Sequence, residues 1–332
     1  MMDSTNQIIV LDGHALNPGD LSWEPLDKFG RLTVYPRTSE EDVVSCAAEA
    51  NIVLTNKTRL SEQVLRKLPK LRFISVLATG YNVIDIRAAE NLGIAVSNVP
   101  TYGTSTVAQH TFALILELCH HVGLHNSSVH VGEWSRSPDF CYWKQPLIEL
   151  EGKQLGIVGR GRIGQRVAQI ARGFGMEAVF ASCTRPQGGE GLLPLQKLFE
   201  TSDIISLHCA MTVSNQHFVN RDLLQVMKPS AFLVNTARGA LIEEADLAEA
   251  LGKGSLAGAA LDVLSTEPPP AVNPLLSAPR CILTPHMAWT GQNARKRLLD
   301  VTVENVAAFL KGSPIHVVNN PVRPEAPAQT SR

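Results

Sequence analysis

The stretch LGIVGRGRIGQRVAQIARGFGMEAVFAS, residues 155–182, constrains the fold of this chain more than any other. An apolar run, Leu155 to Val158, leads into Gly159, Gly161 and Gly164 in G-x-G-x-x-G order. A helical pattern from Ile163 to Ala171 follows, and then a second apolar run, Ala178 to Ala181. Strand, glycine turn, helix and strand at this spacing make one βαβ unit with the glycines at its first turn. Gly159 suits the tight turn, Gly161 lets the backbone approach a pyrophosphate, and Gly164 lets helix and strand pack closely. The helix start adds free N–H groups and a positive dipole end, both attractive to phosphate. The glycine spacing alone also arises in methyltransferases and in plain turns. The two flanking strands are what point to a dinucleotide.

One expected part is absent. About 20 residues beyond the glycines, an NAD site places Asp or Glu against the adenosine ribose hydroxyls. Here the second apolar run ends in Ser182, with Thr184 and Arg185 just beyond. A hydroxyl can donate to phosphate, and an arginine fork accommodates a 2′-phosphate. NADP(H) is therefore favoured, with NAD(H) as the alternative.

The βα rhythm extends along the chain. Strand-like runs read QIIVL, RLTVY, NIVLT, FISVL and IAVSN before the glycine motif, and AVFAS, DIISLH, AFLVNT, LAGAALDV and CILTPH after it. Helical patterns lie between them, including Ser105 to His121 and Gln292 to Lys311. The expected fold is α/β, with two doubly wound parallel sheets. A Rossmann cofactor domain, 102–288, is inserted into a flavodoxin-like substrate domain built from 1–101 and 289–320. The tail PVRPEAPAQTSR, 321–332, is Pro-rich and poor in apolar residues, and is expected to be disordered.

At 332 residues the chain is long enough for two cores. Its net charge of −1 gives no electrostatic case for nucleic acid or an anionic membrane. No apolar run is long enough to span a bilayer. MMDSTNQIIV lacks the basic-then-apolar order of a signal peptide. The six cysteines are scattered, with no C-x-x-C pair, so reduced thiols and a cytoplasmic location are expected.

Three side chains at strand ends could carry chemistry. Arg238 follows AFLVNTA, and Glu267 and His286 lie in STEPPP and TPHMAW, at the edge where open α/β sheets bind ligands. An arginine fork can grip a carboxylate, and a histidine can give or take a proton. Taken singly, each reads more readily as a turn, surface or capping residue. CHHVGLHNSSVH places His121 and His125 four apart, but with no third ligand, and it reads as the end of a helix where histidine suits the dipole. No metal is expected. Cys183 and Cys209 lie near the glycine motif in the βαβ order, yet no neighbour in the sequence marks either as an activated nucleophile.

Taken together, GRGRIGQRVA, HCAMT at 208–212, VNTARG at 234–239, LDVLSTEP at 261–268 and TPHMAW at 284–289 resemble the D-isomer-specific 2-hydroxyacid dehydrogenases. ATGYNVID at 78–85 and STVAQHTFALILEL extend the resemblance over nearly the whole chain. It implies that Arg238 binds a substrate carboxylate, that His286 is the acid/base, and that Glu267 pairs with it. It further implies that Asp262 bonds the nicotinamide amide, and that the dinucleotide touches Arg162, Ile163, Cys209, Ala210 and Ala237. Backbone N–H groups of Ala78, Thr79 and Gly80 would meet the carboxylate. Within the family the chain is most similar to the glycerate dehydrogenase, or hydroxypyruvate reductase, branch. That likeness rests on DFCYWKQPLIELEGK and on Trp289 after His286. Trp143 then matches a tryptophan that reaches the partner subunit's pocket in similar homodimers; plain dimer packing is the equal alternative. Gln109 departs from the glutamate that many relatives carry. The implied reaction interconverts hydroxypyruvate or glyoxylate and D-glycerate or glycolate. Alternatives are a reductase for larger 2-keto acids and a dinucleotide-gated module like the corepressors related to this family.

Overall fold

In the computed structural model, which describes residues 6–321, the apolar runs become strands that pair with their neighbours in parallel. The tail expected to be disordered lies outside the described residues from 322 onward. The chain divides at Gly103/Thr104 and at Trp289/Thr290 into two units.

The first unit holds β1 Gln7–Val10, β2 Arg31–Val34, β3 Ile52–Thr55, β4 Phe73–Val76 and β5 Ala95–Ser97. Their order is β2-β1-β3-β4-β5, the flavodoxin-like arrangement. The connecting helices are short: α1 Gly13–Leu16, α2 Glu24–Asp27, α3 Val43–Ala47, α4 Glu62–Leu65 and α5 Ile86–Asn91. Asp85 starts α5 by accepting a hydrogen bond from Ala88 N at 3.0 Å, satisfying one of the donors a helix start leaves free. Val43, Ala47, Leu65 and Ala88 pack with Val53, Ile74 and Val96 of the sheet into one core cluster.

The second unit opens with α6 Thr104–His120 and α7 Val122–His130. CHHVGLHNSSVH is therefore not a helix end alone: His121, at φ 51°, breaks the run, and a second helix follows. Beyond them come β6 Gln154–Val158, α8 Arg162–Gly173, β7 Glu177–Ala181, α9 Leu195–Thr201 and β8 Ile204–Leu207. The unit continues through α10 Arg221–Val226, β9 Phe232–Asn235, α11 Glu244–Lys253, β10 Gly258–Leu261 and β11 Cys281–Leu283. The sheet order is β11-β10-β9-β8-β6-β7. Counted from its own first strand this is 2-1-3-4-5-6, not the 3-2-1-4-5-6 of two-mononucleotide folds, because only β7 lies outside β6. The switch point still falls beside β6, where the glycine turn emerges.

Both faces of this sheet are covered, as a parallel sheet requires. Along β8, Ile205 and Leu207 join one cluster with Leu198, Leu224 and Leu247, while Ile204 joins the other. The second cluster contains Ala108, Phe112 and Ile115 of α6 and Val167, Ala168 and Ala171 of α8. The α8 residues recur at helical spacing on one face. Finally α12 Gln292–Leu310 returns the chain to the first unit, where Phe309 stacks on Phe73 of β4 with ring centroids 4.4 Å apart. No helix among the described residues is long and apolar enough to cross a membrane.

Candidate active site

Two glycines of the motif have a measurable reason to be glycine. Gly159 sits at φ 109°, and a Cβ there would lie 2.6 Å from the carbonyl oxygen of His208. A Cβ on Gly164 would lie 2.1 Å from the oxygen of Gly159, so α8 can approach β6 only without a side chain there. Gly161 differs: it caps α8, and a Cβ there would meet nothing within 4 Å. The first N–H groups of α8, from Arg162, Ile163 and Gly164, have no acceptor within the helix. Open space over Gly161 with free donors beside it fits a pyrophosphate.

Beyond β7, Ser182 Oγ and Thr184 Oγ1 lie 3.0 Å apart, and Thr184 N donates to Ser182 Oγ at 3.3 Å. Arg185 is exposed. A second cation that the sequence reading passed over lies close by. Arg160, inside the glycine motif, holds its guanidinium 5.7 Å from the ring centroid of Phe180, with Nη1 only 2.8 Å from where a Cβ on Gly191 would sit. No described carboxylate forms a salt bridge with either arginine. A charged residue between the first two glycines was the available signal.

Cys209 and Ala210 begin the loop after β8. Asn215 Nδ2 donates to Ala210 O at 2.8 Å and to Cys183 Sγ at 3.3 Å. The Cys209 thiol and Asn215 hold the Cys183 pKa down at about 6 against its burial. This corrects the expectation that Cys183 lacks an activating neighbour, since its partners lie 26 and 32 residues further along the chain.

The candidate triad, Arg238, Glu267 and His286, comes from three consecutive strand ends. After β9, Ala237 N donates to Asn235 Oδ1 at 2.9 Å, and Asn235 Nδ2 donates to Arg238 O at 2.9 Å, bracing the turn. A Cβ on Gly239 would lie 1.9 Å from the carbonyl carbon of Leu264, so that turn packs directly on the loop leading to Glu267. Arg238 is exposed, with Nη1 donating to Ala237 O at 2.6 Å. Glu267 accepts from Leu264 N at 3.1 Å with Oε1 and meets His286 Nδ1 at 2.6 Å with Oε2. His286 sits at φ 52°, a left-handed conformation held by its N–H donating to Asp262 O at 2.8 Å and to Thr284 O at 2.9 Å.

Asp262 is 1% exposed and binds this loop. Its Oδ1 accepts from Thr284 Oγ1 at 2.6 Å and from Met287 N at 2.9 Å, and its Oδ2 from Ala288 N at 2.8 Å. His110 of α6 approaches the same carboxylate at 3.4 Å and Thr284 Oγ1 at 3.2 Å. Burial would raise the Asp262 pKa, but bonds from His110, Thr284, Ala288 and Met287 outweigh it and hold the pKa below the ordinary value. The sequence reading gave Asp262 only a cofactor role and passed over His110, whose signal was a polar residue on the helix's inner face.

Other expected residues belong to other segments of the chain. Ala78, Thr79 and Gly80 follow β4 in the first unit, where Thr79 Oγ1 donates to Val99 O at 2.8 Å and Asn98 Nδ2 donates to Thr79 O at 2.7 Å. Trp289 is the last residue of the second unit. Trp143 is 68% exposed on the loop after α7. His125 is a strut: Nδ1 bonds His121 O at 2.8 Å, and Nε2 accepts from Lys144 N at 3.0 Å. Both ring nitrogens are then occupied, which leaves none for a metal.

A glycine turn with free helix N–H groups and a carboxylate-paired histidine on the carboxyl ends of one parallel sheet fit a dinucleotide-dependent oxidoreductase. The family described as D-isomer specific 2-hydroxyacid dehydrogenase, NAD binding domain, matches residues 112–288. A hydroxypyruvate reductase of Blautia hydrogenotrophica is 48% identical over 320 residues, covering 94% of this chain and 99% of that one. A glycerate dehydrogenase of Methylorubrum extorquens is 39% identical, covering 95% and 99%. Among solved structures, an NADPH-dependent glyoxylate/hydroxypyruvate reductase of Sinorhizobium meliloti, in complex with NADP and malonate, superposes with a TM-score of 0.80 at 28% identity, covering 97% and 100%. The chain belongs to the D-isomer-specific 2-hydroxyacid dehydrogenases and is an NAD(P)-dependent enzyme of that family.

Proposed function

We propose that the enzyme reduces a small 2-keto acid, hydroxypyruvate or glyoxylate, to the D-2-hydroxy acid, with NADPH preferred over NADH. The observation that carries the reading is the 2.6 Å contact between Glu267 Oε2 and His286 Nδ1. A carboxylate that accepts from Nδ1–H fixes the tautomer and leaves Nε2 as the proton carrier. Arg238 grips the substrate carboxylate with its fork, which orients the keto carbon. A reduced nicotinamide held by the glycine turn and by Asp262 would supply the hydride for that carbon. His286 Nε2 gives its proton to the carbonyl oxygen, so the product is the neutral alcohol with its carboxylate intact. Asp262 acts on this step by holding Met287 and Ala288, and so the position of His286, and its nicotinamide contact stays part of the reading. Ala237, Cys209 and Ala210 line the same sheet edge and are assigned to the dinucleotide, and Ala78, Thr79 and Gly80 to the carboxylate.

The preference for NADPH rests on the two hydroxyls and Arg185 at the end of β7, where an acid would select NADH. The relatives' names support the substrate: each of the three compared here acts on hydroxypyruvate, glyoxylate or glycerate. A homodimer is part of the proposal. Val131, Trp134, Phe140, Trp143 and Leu147 are exposed along one stretch, 52% to 89% of each side chain's full area. Apolar residues exposed together mark an association surface. The test is kcat/KM for hydroxypyruvate, glyoxylate, pyruvate and a branched 2-keto acid with each cofactor, alongside sedimentation of the free protein. Faster turnover of the branched acid overturns the substrate, and preference for NADH overturns the cofactor.

A further inference from the structure

Cys183 and Cys209 follow β7 and β8, the two strands that flank β6. Gly159 N donates to Ala181 O at 2.9 Å and His208 N to Val158 O at 2.8 Å, so both loops begin beside the glycine turn. Across it the two cysteines pack on the same core cluster, with the Cys209 thiol near enough to favour the Cys183 thiolate. Asn215, 1% exposed, completes the group. Its Oδ1 accepts from Thr212 N at 2.7 Å, and its Nδ2 donates to Ala210 O at 2.8 Å and to Cys183 Sγ at 3.3 Å. The side chain that folds the loop after β8 therefore also grips the Cys183 sulfur.

Donors around a sulfur favour the thiolate. The Cys209 thiol, Asn215 and the N–H groups of Cys183 and Thr184 together outweigh burial and bring Cys183 to about 6, while Cys209, the donor, is pushed up. Burial alone raises Cys119 to about 11 and Cys281 to about 12. A low-pKa thiolate with a second thiol close by is the pattern of a reactive cysteine beside a resolving one. Neither sulfur has a part in carbonyl reduction.

We propose that Cys183 and Cys209 are a redox-modifiable pair, which a hydroperoxide converts to an intramolecular disulfide that closes the adenosine end of the dinucleotide cradle. The closing rests on the cofactor reading above; the disulfide itself does not. The Cys183 thiolate attacks one peroxide oxygen, the O–O bond breaks, and hydroxide leaves to become water. Cys183 is then a sulfenic acid, oxidised by two electrons. The Cys209 sulfur, giving up its proton, attacks the Cys183 sulfur; the S–O bond breaks, and hydroxide leaves with that proton as a second water. Two thiols and one peroxide become one disulfide and two waters, and a dithiol reductant reverses the change. An S–S bond of about 2.0 Å is shorter than a thiol contact, so it draws the loops after β7 and β8 together over the glycine turn. A bound dinucleotide holds those loops apart and slows the closure.

The experiment treats reduced full-length protein with hydrogen peroxide, with and without NADP+, blocks remaining thiols and maps tryptic peptides. Because Pro186 follows Arg185, the relevant peptides are 173–197 and 198–221. NADPH affinity is read by its fluorescence before and after peroxide, and again after dithiothreitol. The two peptides should be joined, more slowly with NADP+ present. NADPH affinity should fall at least about tenfold and return on reduction. Cys183→Ser should show no peroxide-dependent loss relative to its own untreated sample. Cys209→Ser should stop at a sulfenic acid that dimedone traps. The pair is overturned if the peptides stay unlinked, if linkage leaves affinity unchanged, or if Cys183→Ser loses affinity as wild type does. An untreated enzyme that binds neither NADPH nor NADH overturns the cofactor reading and the closing of the cradle, whereas NADPH binding with unlinked peptides overturns the pair alone.

Discussion

Gly161→Ala should separate cofactor binding from folding. Gly161 has φ −77° and ψ −176°, extended backbone that any residue adopts, and an added methyl meets nothing within 4 Å. In the free protein, replacing the glycine cap by alanine costs about 0.5–1 kcal/mol. A less flexible unfolded chain returns about 0.4–1 kcal/mol. The balance is near zero, and Tm should move by less than about 4 °C. With dinucleotide present, the methyl stands where the pyrophosphate must approach the N–H groups of α8. Losing one charge-assisted hydrogen bond there removes about 1.5–3 kcal/mol. That weakens Kd roughly 10- to 100-fold. Fluorescence titration with NADPH, paired with Tm scans with and without it, reads both quantities. A Kd within about threefold of wild type would refute the cradle. So would a large fall in the free protein's Tm, because the space over Gly161 would then not be open. Gly164→Ala provides the contrast: its Cβ would lie 2.1 Å from Gly159 O, so free-protein stability should fall by about 1–3 kcal/mol.

Arg238→Lys keeps the charge but loses the planar fork, so kcat/KM for hydroxypyruvate should fall by about 10² or more, while NADPH affinity holds; a value within a few-fold of wild type removes Arg238 as the clamp. Arg185→Ala should cut the NADPH-over-NADH ratio of kcat/KM by roughly 10- to 100-fold, and Ser182→Asp should reverse the preference; an unchanged ratio in both makes Ser182 a neutral gap. Asp262→Asn replaces one acceptor by a donor against Met287 or Ala288, costing about 1–3 kcal/mol by chemical denaturation at neutral pH. The folded pKa of Asp262 lies below the ordinary 3.8, so the carboxylate contributes stability above that pH. The wild-type advantage should therefore shrink as pH falls beneath 3.8, and an advantage that grows there contradicts the network.

The strands and the glycine turn could be read from the sequence because local signals carry them. Runs such as DIISLH are buried along their strand, and Gly164 answers to a contact with Gly159 within one βαβ unit. Helix boundaries were less legible: the break at His121 depends on one left-handed residue that is itself neither Gly nor Pro. Short helices such as α3 show too few turns for a periodic pattern to appear. The triad could be named only because five motifs occur together; no local pattern pairs Glu267 with His286 across 19 residues. The Cys183, Cys209 and Asn215 group was invisible for the same reason, since parallel strand order, not chain order, brings those loops side by side. Arg160 was hidden differently, as a cation in a variable position of a familiar motif.

The most direct test compares hydroxypyruvate reduction by wild type and His286→Ala with saturating NADPH, alongside NADPH affinity measured by fluorescence. Wild type should turn over hydroxypyruvate and glyoxylate. The variant should bind NADPH as wild type does and lose about 10²–10⁴-fold in kcat, the usual share of a general acid. Near-normal turnover in the variant, or no turnover of either keto acid by wild type, would contradict the account.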